Sequence, residues 1–210
     1  MKRIITLFIL TFLFFGCSTI KELTQKQKED LVRANLAYLN NFKAEGVLEV
    51  AIKGFSLKKE FVLKKNQTSL RLDVLDSGIM SLFPSPFATL YAKDQIILTN
   101  YNKGFFPDFL IDKFPLKEFF DLEKLPQGII DEIVKNRKFN IAIIQFEFDE
   151  LYRLNKIILN QDEITLKYIA NDLVRMELNS SKADVNIDFD TFNAGEFSIK
   201  PLEITNKNID

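Results

Sequence analysis

From Lys43 onward the hydrophobic pattern of this 210-residue chain repeats every two residues, and that period decides what it can fold into. Leu48, Val50 and Ile52 alternate with Glu49 and Lys53. Phe55, Leu57, Phe61 and Leu63 alternate with Ser56, Lys58, Glu60 and Lys64, and Leu70, Leu72 and Val74 with Ser69, Arg71 and Asp73. Alternation puts every second side chain on one face of a strand. Gly54 and Asn66-Gln67 mark short turns, so the three strands predict an antiparallel meander with one apolar and one wet face. Lys59 breaks the apolar series, as a rim or strand-edge charge does. Phe87–Ala92 and Gln95–Tyr101, joined at Lys93-Asp94, predict the next hairpin.

The strands resume near Phe139. Phe139, Ile141 and Ile143 keep one phase, whereas Ile144, Phe146 and Phe148 keep the opposite one. A one-residue slip turns every later side chain over, so a β-bulge is expected near Ile143-Ile144. Leu154–Asn160, Ile164–Ile169, Val174–Leu178 and Val185–Phe189 follow, and the tail predicts an edge strand around Phe197–Ile204. The sum is a mainly β fold of about eleven strands, with no repeat, low-complexity segment or linker.

Two segments fall outside the period of two. Residues 18–29 are mostly polar and read as a tether. They merge into a helix running to about Phe42, in which Val32, Leu36, Leu39 and Phe42 recur at helical spacing. Gly104 to about Lys135 packs Phe105, Phe106, Phe109, Phe119 and Phe120 among prolines. Pro115 and Pro126 suit the openings of helices Leu116–Leu122 and Gln127–Lys135. Helices inserted into a meander must cover its apolar face, which makes this segment a lid. Between the third and fourth strands, Gly78, Pro84 and Pro86 block regular structure. Yet Ile79, Met80, Leu82 and Phe83 sit there. They either fold back under the sheet or form an apolar finger offered to lipid or a partner.

The N-terminus carries an address. Lys2 and Arg3 precede an apolar run, Ile4 to Gly16, too short to span a ~30 Å hydrocarbon core. The residue after the expected cut is Cys17, the one cysteine of the protein. Leu13-Phe14-Phe15-Gly16-Cys17 resembles a bacterial lipoprotein lipobox, which implies acylation of Cys17 by chains such as palmitate. Phe14 stands where that pattern usually has Leu. A plain secretory signal with an incidental cysteine is the alternative. The divisions expected are a signal at 1–16, an acylated cysteine and tether at 17–29, and one domain at 30–210.

Composition removes several classes of chemistry. The chain contains no histidine, so Ser-His-Asp and Cys-His nucleophile systems and most zinc and haem sites are excluded. Its net charge of −1 drops to −3 once Lys2 and Arg3 leave with the signal, the wrong sign for a nucleic-acid binder. Seven glycines leave little for a phosphate loop. Glu147, Asp149, Glu150, Asp188 and Asp190 are candidates for acid–base work or calcium, but they alternate with phenylalanines and read as a solvated strand face. No cofactor, metal or enzymatic activity is expected. Twenty-one phenylalanines and no tryptophan point to a large greasy interior or to apolar surface kept for a ligand.

Leu72-Asp73-Val74-Leu75-Asp76-Ser77-Gly78 leading to Ala88-Thr89-Leu90-Tyr91, and Leu151-Tyr152-Arg153-Leu154-Asn155-Lys156-Ile157, resemble segments of the lipoprotein carrier and receptor (LolA/LolB) family. The likeness spans roughly residues 30–190 and is nearer the receptor. It implies an incomplete barrel, with a first helix and a helical lid, over a hydrophobic cavity. In that architecture Leu48, Val50, Ile52, Leu57, Phe61, Leu70, Leu72 and Val74 would line the cavity, and Ile79–Phe83 would match the loop that helps place cargo in the membrane. The resemblance further implies a monomer, lipid-anchored at the outer membrane and facing the periplasm. Its partners would be membrane lipid, acyl chains of lipoprotein or lipid cargo, and a periplasmic carrier. The alternative is an anchored structural or interaction lipoprotein whose concave face is filled by its own side chains.

Overall fold

In the computed structural model the described residues are 22–52, 54–76, 85–93, 96–100, 122–181 and 183–201. They open with helix α1 (Gln25–Tyr38), which starts where Thr24 and Gln27 cap each other: Gln27 N–H donates to Thr24 Oγ1 and Thr24 N–H to Gln27 Oε1. This reciprocal pair satisfies two donors that a helix start leaves open. The helix therefore begins inside the stretch expected to be tether. It also ends at Tyr38 with Leu39 as cap, so Phe42 is not helical as expected. Phe42 opens the first strand, and its helical spacing from Leu39 is a coincidence. Its true series is Phe42, Ala44, Leu48 and Val50, all buried on one strand face.

Eleven strands form one sheet: β1 (Phe42–Ile52), β2 (Phe55–Lys65), β3 (Leu70–Asp76), β4 (Ser85–Ala92), β5 (Ile96–Asn100), β6 (Lys138–Ile141), β7 (Ile144–Phe148), β8 (Leu154–Leu159), β9 (Asp162–Ile169), β10 (Asp172–Asn179) and β11 (Asp184–Ala194). Their order is β5-β4-β3-β2-β1-β11-β10-β9-β8-β7-β6. Two antiparallel meanders thus meet along β1 and β11, and β5 and β6 remain as edges of a curved, incomplete barrel. Between the meanders come a 3-10 turn (Leu122–Lys124) and helix α2 (Gln127–Asn136).

The expected bulge near Ile143-Ile144 is instead a hairpin. Ile141 pairs with Ile144 across a two-residue turn, Ala142-Ile143, with Ala142 at φ 51 and Ile143 exposed. A tight reversal returns Ile141 and Ile144 to the same face, which a slip along one strand would not. The bulges that bend this sheet lie at Glu45/Gly46, Val74/Leu75, Glu147/Phe148 and Leu173/Arg175. At the first, β1 and β11 approach so closely that a Cβ on Gly46 would overlap the Asp188 carbonyl and stand 3.0 Å from Asp190 N.

The expected tail strand is not formed over its described part. Residues 196–201 are irregular, and Arg71 Nη1 donates to Lys200 O at 3.1 Å. β11 is enclosed by β1 and β10, so chain leaving Ala194 has no free edge beside it to join. Eleven strands are nonetheless present among the described residues, because β6 and β7 are two strands where one was expected.

One apolar cluster fills the fold. α2 buries Ile130, Ile133 and Val134. Its Gln127 is tied to α1 by Arg33 at 2.7 Å and Glu29 at 3.2 Å. α1 reaches the sheet through Tyr38, whose ring stacks on Phe192 at 4.9 Å. Phe139 stacks on Phe146 at 4.7 Å, and Phe61 meets Phe189 edge-on at 5.8 Å.

Candidate functional site

Strand register assembles a single apolar face across both meanders. One row runs Leu178, Val185, Val50, Leu57 and the next Met176, Ile187, Leu48, Lys59. A third runs Phe189, Gly46, Phe61, Val74, Ala88 and a fourth Phe192, Ala44, Leu63, Leu72, Leu90. The eight expected wall residues therefore do share one face by register. Leu48, Val50, Phe61 and Val74 are buried at 8 % exposure or less, and Leu57, Leu70 and Leu72 are half-buried. Ile52 ends β1 opposite Phe55, and its side chain lies outside the description. Cys17, the loop residues Ile79, Met80, Leu82 and Phe83, and the lid residues Phe105, Phe106, Phe109, Phe119 and Phe120 all lie outside the described residues.

Two lysines belong to this face by register: Lys59, which sequence spacing already marks as a break in the apolar series, and Lys65, which it does not. Lys65 is fully buried, its Nζ donating to Asn40 O at 3.1 Å and Asn40 Oδ1 at 3.3 Å. Lys59 is not at a strand edge: β2 is interior, and Lys59 stands opposite Leu48. Its Nζ donates to Asp76 Oδ1 at 2.6 Å and lies 5.2 Å from the centre of the Phe87 ring. The Asp76 carboxylate is half exposed at the end of β3, so this pair sits where the greasy face meets water.

A hollow of about 290 Å³ opens between α1 and the opposite end of the sheet, walled by Leu31, Ala34, Asn35, Tyr38, Leu151, Arg153, Tyr168 and Asn171. A second of the same size, between Asn41, Asn66, Gln67, Thr68, Glu196 and Phe197, is polar. None of the eight expected wall residues lines either. Around the first, Asp149 accepts from Leu151 N–H at 2.8 Å, Arg153 N–H at 2.9 Å and Arg153 Nε at 2.7 Å. Asp149 thus builds a turn, not the wet side of a strand. Arg153 also donates to the Ala170 carbonyl and covers the Tyr168 ring at 4.6 Å.

Tyr168 Oη donates to Leu154 O at 2.8 Å, and burial pushes its phenol far above the ordinary value, with Arg153 opposing. Burial raises Tyr38 as well. The native phenols stay protonated while unfolded ones ionise near pH 10, so their contribution is complete below pH 10 and lost above it. Melting temperature is expected to fall as pH rises past about 10, and Tyr168→Phe to make that fall shallower. Thermal scans from neutral pH upward check both.

Three of the five acidic candidates, Glu147, Asp149 and Asp188, are paired locally. Glu147 accepts from Gln145 on β7 and faces Lys156 across the ladder, and Asp188 accepts from Arg175. Glu150 and Asp190 are exposed. No group of three or more metal-ligating side chains gathers among the described residues. No helix among them is long and apolar enough to cross a membrane.

No family model matches the chain, and no curated protein is similar to it in sequence. Among solved structures, a LolA superfamily protein from Nitrosomonas europaea is similar at 7 % identity and a TM-score of 0.41, covering 84 % of this chain and 96 % of its own. A domain from Vibrio parahaemolyticus, described as an outer membrane lipoprotein-sorting protein, is similar at 9 % identity and 0.37, covering 81 % and 93 %. LprF from Mycobacterium bovis is similar at 9 % and 0.29, covering 84 % and 97 %. Likeness at these levels carries no inference of its own.

Proposed function

We propose that this chain is a bacterial lipoprotein, anchored through Cys17, that holds acyl chains on the inner face of its sheet. By this proposal it receives or inserts lipoproteins or lipids at the outer membrane, facing the periplasm as a monomer. The observation that carries the proposal is the unclosed sheet. Eleven strands present one continuous apolar face, on which Leu57, Leu70, Leu72 and Phe87 remain only half-buried. Half-buried apolar side chains on such a face are suited to take hydrocarbon from water, at roughly 0.8 kcal/mol per methylene. The bilayer offers nearly the same, so such a protein needs greasy walls and a way in more than tight complementarity. Ile79, Met80, Leu82 and Phe83 would serve as the apolar finger toward the membrane, and Phe105–Phe120 as the door.

The burial of Leu48, Val50, Phe61 and Val74 favours a second reading, an anchored structural or interaction protein whose face is filled by its own side chains. Lipid uptake separates the two. The mature chain is expected to bind a fluorescent fatty acid, and Leu72→Glu to abolish the binding by putting a carboxylate among the half-buried walls. Wild-type protein that takes up neither a fluorescent fatty acid nor a fluorescent acyl ester would leave only the second reading.

A further inference from the structure

Lys59 and Asp76 form an ion pair at the rim of the apolar face. Lys59 stands in a row with Met176, Ile187 and Leu48, so its ammonium is held against hydrocarbon. An ammonium has three N–H donors. One goes to Asp76 Oδ1, and the ammonium lies over the Phe87 ring, 5.2 Å from its centre. Among the described residues Lys59 has no further acceptor. Its side chain is 20 % exposed, open enough to be reached from water. The ammonium thus retains donors at the boundary between the greasy face and water, and its charge is already balanced by Asp76.

That balance selects the ligand. A second anion would have to approach the Asp76 carboxylate, whereas a neutral carbonyl oxygen needs only an unused N–H. We infer that Lys59 donates to the carbonyl oxygen of an acyl ester, so that the cargo held on this face is ester-headed lipid, with its chain along the half-buried Leu57 and Leu72. This rests on the acyl-holding function proposed above and adds to it the chemistry of the headgroup.

Monoolein and 1-O-oleylglycerol share a chain and a glycerol but differ in the carbonyl. Offered together in equal amounts to the full chain, with bound lipid extracted and weighed by mass spectrometry, the ester is expected to be about tenfold enriched. In Lys59→Met, which keeps the length of the side chain, ester uptake is expected to fall to the level of the ether, and Lys59→Arg should keep the enrichment. Equal uptake of both lipids by the wild type, or enrichment that survives Lys59→Met, overturns the headgroup assignment and leaves acyl holding standing. Uptake of neither lipid by the wild type overturns acyl holding, and this assignment with it.

Discussion

Phe61→Ala is expected to remove about 4 kcal/mol of folding stability, read as a shift of the urea midpoint. Phe61 is 2 % exposed, faces Gly46 on β1 and Val74 on β3, and meets Phe189 edge-on. Gly46 contributes no side chain, so the phenyl ring occupies room that nothing else on β1 can fill. Truncation then leaves a cavity at the junction of the two meanders, where collapse would require β1 and β11 to shift together. The size of the loss carries information about function as well. A ring packed on all sides costs the full amount, whereas a ring on the wall of an open hollow costs less because it was never fully enclosed. A loss near 4 kcal/mol would place the walls around Phe61 in the packed core and confine acyl binding to the half-buried side of the face, toward Leu57 and Leu72. A loss under about 1.5 kcal/mol would place Phe61 itself on an open wall.

Cys17→Ser is expected to move the protein from the membrane pellet to the soluble fraction. A single ~16-carbon chain is worth about 12 kcal/mol on leaving water, and nothing among the described residues offers a comparable hold. Glu22, Leu23 and Thr24, all exposed, and the capped start of α1 follow the cysteine. The anchor and the domain are separate attachments in this view, so the substitution should leave the urea transition unchanged. Fractionation of cells expressing each form measures the first outcome and denaturation the second. Serine-substituted protein that still pellets with membranes would show that another segment, the Ile79–Phe83 finger first of all, holds the bilayer unaided.

Much of this architecture is legible in the period of two. Leu48-Val50, Phe61-Leu63 and Leu70-Leu72-Val74 declare their face because each is flanked by charges that must stay wet. What eluded the sequence are the places where geometry departs from composition. Ala142-Ile143 makes a two-residue reversal without the glycine or asparagine that usually announces one, so the phase change looked like a slip. Phe42 continued a helical spacing by chance while belonging to β1. Residues 196–201 carry part of a strand's alternation but leave β11, an interior strand with no free edge beside it. Lys59 and Asp76 lie seventeen residues apart, and only the register of β2 with β3 makes them neighbours. Asp149 sits in a run of acidic and aromatic residues that mimics a strand face, but its carboxylate is spent on the turn that follows. The walls were readable because hydrophobic period is a local signal; the rim pair was not, because it exists only once strands are aligned.

The central claim is that hydrocarbon from outside the chain occupies the inner face. Its most direct test is to purify the mature protein under mild conditions, extract it, and weigh what comes away. The expected result is acyl lipid in near-stoichiometric amount, not covalently attached, and lost in Leu72→Glu protein that melts like the wild type. A wild-type extract free of acyl lipid, from protein that also refuses added fatty acid, would contradict the claim and leave an anchored, self-filled sheet.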